Sequence, residues 1–128
     1  MKRFAIIILL AFSAVAMFAK SPTLAVEKFF DGRYNSNPEI STTYSRNAVS
    51  LFRSMTIAPS QKKAISEISK AVEADKRLAT DVIDNWTGGE HQVILSIQRD
   101  GGNVAVGLET KKNGGIEIFV SGPSAAFE

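Results

Sequence analysis

Apolar and polar positions alternate along the last third of the chain. Val93, Leu95 and Ile97 share one parity; Val104, Val106 and Leu108 repeat the pattern, and so do Ile116, Ile118 and Val120. A period of two puts every second side chain on one face, so each run predicts a strand with one face to bury. Asp100-Gly101-Gly102-Asn103 and Asn113-Gly114-Gly115 separate the runs, and their glycines suit hairpin turns. The pattern is a three-stranded antiparallel meander ended by Ser121-Gly122-Pro123, and the tail beyond Pro123 is expected to fray.

Upstream the period changes twice. Leu24, Val26, Phe29 and Phe30 line one side of a short helix that Ser21-Pro22 can start and Asp31-Gly32 can stop. After the Asn35-Ser36-Asn37-Pro38 turn, Ile40, Thr42 and Tyr44 alternate as in a strand. Ser45-Arg46-Asn47 turns the chain, and Val49 to Ile57 reads as a second strand. Val49, Leu51, Met55 and Ile57 share the apolar parity of that strand, and Arg53 falls among them. An arginine is costly to bury unpaired, so Arg53 is expected to sit at an edge, to snorkel or to mark a site. Ser60, just after Pro59, is placed to cap a longer helix in which Ala64, Ile65, Ile68, Ala71 and Val72 recur every three or four residues. That pattern ends near Asp75-Lys76-Arg77. Leu78 to Trp86 fits both periods, with a strand favoured at its end before Gly88-Gly89. Together these elements predict an α+β fold of order α-β-β-α-(β)-β-β-β. Two helices pack on one face of an antiparallel sheet that ends in the three-stranded meander.

The first nineteen residues stand apart from this pattern. Lys2-Arg3, the apolar run from Phe4 to Met17 broken only by Ser13, and the alanines Ala14, Ala16 and Ala19 are the three parts of a secretory signal peptide. The run between Arg3 and Lys20 is shorter than the roughly 20 apolar residues a membrane-spanning helix needs. Cleavage after Ala16 leaves small residues, Ala14 and Ala16, at the exit; cleavage after Ala19 uses the longer segment but sets Met17 where a smaller residue is preferred. The expected organisation is a signal peptide over 1–19 and a single α+β domain over 20–128. The product is periplasmic or extracellular, with no membrane anchor once cleaved.

Removing the signal changes the charge. The chain has 15 lysines and arginines against 13 aspartates and glutamates, and Lys2 and Arg3 are the whole excess. The remaining domain is neutral, which removes the case for nucleic acid or an anionic membrane as partner. It has no cysteine, so its stability rests on packing rather than on disulfides.

Two segments carry a family likeness. Val26-Glu27-Lys28-Phe29-Phe30-Asp31-Gly32-Arg33-Tyr34 and Leu51-Phe52-Arg53-Ser54-Met55-Thr56-Ile57, at this spacing, resemble a family of small exported domains of unknown function from Gram-negative gut bacteria. The resemblance implies export and an α+β layout. It assigns no activity and no site residue.

The chemistry must therefore come from the residues themselves. His91 is the only histidine, and with no cysteine a Cys-His nucleophile and a multi-histidine metal site are both excluded. No Gly-x-Ser-x-Gly elbow, phosphate loop or dinucleotide fingerprint is present, so no cofactor is expected. A small hydrolase would have to use Asp81, Asp84 or His91. Arg33, Tyr34, Arg53 and Trp86, by contrast, are of the residue types that dominate binding hot spots. They predict a non-enzymatic binding or interaction module for a protein or small-molecule partner, with the hydrolase as the alternative. An unpaired meander edge also allows a homodimer.

Overall fold

Residues 23–128 are described by a computed structural model. The expected signal peptide and Ser21-Pro22 lie outside them. Six strands form one antiparallel sheet: β1 (Ile40–Arg46), β2 (Ser50–Ile57), β3 (Ala79–Thr87), β4 (Glu90–Arg99), β5 (Gly102–Thr110) and β6 (Ile116–Pro123). Their order across the sheet is β1-β2-β6-β5-β4-β3. The meander thus has four strands, β3 to β6, and the β1–β2 hairpin joins it by pairing β2 with β6. The segment that fitted both periods is β3. A 3-10 turn, Lys76–Leu78, ends the helical winding and the chain then extends.

One α-helix, α1 (Lys62–Asp75), connects the hairpin to the meander and turns Ala64, Ile68, Ala71 and Val72 towards the sheet. The opposing residues fall in register rows. Val93, Leu108, Ile118 and Met55 form one, and Leu95, Val106 and Val120 the next, all at most 8% exposed. A helix is about 10 Å across, the width of about two strand spacings. It covers the middle of a six-stranded sheet and leaves both flanks open. On β1 only Ile40 is buried, and on β3 no residue is. The alternation read in β1 is therefore real as backbone but buries only its first member.

The first helix departs from expectation. Ala25–Phe30 winds as a 3-10 helix, so among the described residues the sheet carries one α-helix rather than two. Six residues are too few for an α-helix to hold by its own bonds, and the amino-terminal N–H groups are satisfied from elsewhere. Asp75, at the end of α1, accepts from Ala25 N–H at 2.6 Å and Val26 N–H at 3.1 Å. Glu27 Oε1 accepts from Leu24 N–H at 3.0 Å and from Arg99 Nη1 at 3.3 Å. Leu24, Val26 and Phe29 are thereby held in the core.

Two terminal assignments also change. Ser60 does not cap α1, which starts two residues later. Its hydroxyl instead faces the Glu39 carboxylate at 3.5 Å. The tail beyond Pro123 does not fray: Ser124–Phe127 forms a 3-10 helix, with Ser124 and Ala126 buried. Ser124 Oγ donates to the Asn47 carbonyl at 2.7 Å, its N–H donates to the Val49 carbonyl, and the Arg99 guanidinium lies over the Phe127 ring. A buried hydroxyl with a partner and a buried alanine are enough to hold so short a segment against the sheet.

Candidate functional site

Arg53 is the residue whose surroundings are least explained by packing. It projects on the core-facing side of β2 between Leu51 and Met55, both 1% exposed, and pairs across the strands with Val120 and Tyr44. β2 is an interior strand, so Arg53 is not at an edge. Its guanidinium sits over the Tyr44 ring, 5.4 Å from the centroid. Arg53 Nε is enclosed and has no hydrogen-bond partner, and no carboxylate pairs with this side chain among the described residues. A groove of about 410 Å³ opens beside it. Phe30, Asp31, Gly32 and Asn35 form one wall, and Thr42, Thr43, Tyr44 and Arg53 the other.

The loop that forms the first wall is itself fixed. Arg33 grips the Asp31 carboxylate through Nε and Nη2 at 3.1 and 3.0 Å, and its backbone N–H donates to the same group. That side-chain bond is the main reason the Asp31 carboxyl lies below its ordinary value. Arg33 also lies over Phe29, on whose ring Tyr34 is stacked in parallel at 6.4 Å. Burial raises the Tyr34 hydroxyl above its usual pKa. Arg33 and Tyr34 thus shape the groove without lining it, and among the described residues Arg53 is the one cation that lines it.

Trp86 belongs to the other flank. It is separated from Arg53 by four strand spacings, roughly 19 Å. Trp86 pairs with His91 across β3 and β4, and the two rings stack at 4.2 Å with planes 9° apart. Asp84, two residues before Trp86 and on the same face, meets His91 Nε2 through Oδ1 at 2.6 Å. Asp81 pairs with Ser96 on the opposite face of the sheet. Of the three residues from which a hydrolase would have to draw, the fold brings Asp84 and His91 together and sends Asp81 away. Trp86 is 68% exposed, so this cluster is a shelf and not a cleft. Among the described residues no three histidine, aspartate or glutamate side chains converge as metal ligands would.

Sequence reasoning did not foresee Tyr44, Asp31 and Asn35 as neighbours of Arg53. Tyr44 was legible as a strand residue. Its meeting with Arg53 depends on the register of the β1–β2 hairpin, which one residue of slip would undo. No curated protein matches this chain, and no solved structure does. From residue 12 to residue 106, a stretch that holds Arg53, Asp84, Trp86 and His91, the sequence matches a family of unknown function, DUF6108, and the chain belongs to that family.

Proposed function

We propose that the chain is an exported, non-enzymatic binding module whose ligand carries an anionic group held by Arg53. One observation carries this reading: a guanidinium on the core-facing side of the sheet, beside a groove, with its Nε enclosed and unpartnered. A carboxylate or phosphate in the groove would accept from the two terminal nitrogens of the guanidinium together, a fork geometry that arginine offers. Tyr44 already holds the guanidinium by its ring, so little side-chain freedom is left to lose on binding.

Titration with carboxylate- and phosphate-bearing fragments, followed by NMR, should shift resonances of residues 31–35, 42–44 and 53. Arg53→Ala should weaken the best fragment about tenfold or more, because a hydrogen bond to a charged group contributes about 1.5–3 kcal/mol. Fragments that bind elsewhere, or bind Arg53→Ala equally well, would refute the reading.

A hydrolytic reading would rest on Asp84 and His91 alone. They supply an orienting acid and a base, but no hydroxyl is hydrogen-bonded to His91 among the described residues, so no described side chain is held there as a nucleophile. Export is supported by the composition of residues 1–19. Amino-terminal sequencing of protein from the periplasm or medium should read from Met17 or Lys20, and an intact Met1 there counts against cleavage.

A further inference from the structure

We propose that β3 is a docking edge that takes an extended, basic segment of another polypeptide as a seventh strand. This site lies on the flank away from Arg53 and does not depend on the groove. β3 is the last strand in the order and, among the described residues, pairs only with β4, so its outer side carries backbone donors and acceptors that no described strand pairs. It is also unusually apolar for an open edge. Of the seven large hydrophobic side chains exposed among the described residues, Val82, Ile83 and Trp86 lie on these nine residues, and Leu78 lies just before them.

The chemistry of the edge selects its occupant. β3 carries Asp81 on one face and Asp84 on the other and contains no lysine or arginine. An incoming strand therefore meets a carboxylate on each face, next to apolar residues. Trp86 adds a third element. One face of its indole is stacked on His91, which presents the other face flat, two residues from Asp84. A ring face beside a carboxylate suits a guanidinium or ammonium group. Strand addition supplies main-chain bonds, and alternate side chains supply the choice of partner. A second copy of this chain fits less well. Two-fold pairing of β3 with itself would line four carboxylates and no cation along one seam.

The competing explanation is that Asp81 and Asp84 only guard the edge against association. The probe is a synthetic peptide of alternating arginine and valine, as long as β3, with a glutamate-valine peptide as its counterpart. Trp86 is the only tryptophan, so its emission reports this edge alone. The arginine peptide should shift that emission and slow hydrogen exchange of β3 amides. Its affinity should fall with salt and fall tenfold or more in Asp81→Asn/Asp84→Asn, and the glutamate peptide should do none of this. Unchanged β3 amide exchange, or equal binding of both peptides, overturns the proposal. So does self-association of the double variant when the wild type gives no response to the arginine peptide, which would leave the aspartates as guards.

Discussion

Asp75→Ala should destabilise the fold by about 2–4 kcal/mol, because it strips the acceptor from two backbone N–H groups and an unpaired buried donor costs about 1–3 kcal/mol. Ala25 and Val26 donate to this carboxylate, and they open the 3-10 helix that carries Leu24, Val26 and Phe29 into the core. Losing the clasp releases the segment as a unit. For a domain of about 100 residues a loss of this size lowers Tm by about 8 °C or more, and a calorimetric scan checks it. A change below 1 kcal/mol would show that water reaches these donors once the side chain is gone.

The same carboxyl has a pH signature. Burial raises its pKa above the ordinary 3.8, while the two N–H donors and Arg99 pull it down and Glu27 pushes it up. A carboxyl with a higher pKa in the folded than in the unfolded chain favours the native state most when protonated. Its contribution is complete below the ordinary value and is lost as pH rises through the raised one. The stability of the wild type relative to Asp75→Asn should therefore decline as pH rises from the acid side through that range. Urea melts at stepped pH measure the difference, which cancels the other carboxylates. A difference that grows with pH would mean that the donors outweigh burial.

Gly101→Val is the second large effect. Gly101 has φ +96°, where a β-branched residue is a genuine outlier, and a Cβ there would come within 2.5 Å of the backbone of Ala125. Backbone strain of this kind costs about 1–2 kcal/mol, and overpacking adds roughly 1–3 kcal/mol. The tail must lift, taking Ser124 and Ala126 out of their buried positions. The expected result is a loss of about 2–4 kcal/mol, together with rapid proteolysis of the tail from residue 124. Gly88→Asn is the control. It also has positive φ, but nothing stands within 4 Å of its Cβ position, and asparagine tolerates the conformation. Its stability should stay within about 0.5 kcal/mol of wild type.

How much of this was legible differs by element. β4, β5 and β6 read directly from Val93, Val104, Ile116 and their alternating neighbours, because period two is a local property of a half-buried strand. α1 read equally well from Ala64, Ile68, Ala71 and Val72. The errors fell where a distant residue decides. Ser60 could cap in isolation but faces Glu39. The tail is terminal and short enough to fray but meets Asn47 and Gly101. The first helix takes the acceptor for its opening N–H groups from Asp75, some fifty residues away. Arg53 was legible as an anomaly because a cation broke an apolar parity, yet its groove was not.

The sequence by itself determined the alternation, the helical stripe, the turn glycines, the neutral balance once Lys2 and Arg3 are set aside, and the absence of any cysteine chemistry. All of these are matters of residue type and short-range spacing. Only the tertiary structure decided strand order and register, and with them which residues lie on the two flanks that one helix is too narrow to cover. Arg53 with Tyr44 stands on one flank, and Trp86 with His91 and Asp84 on the other. A side chain's partner across a sheet is fixed by pairing between segments far apart in the chain, and no local pattern encodes that choice.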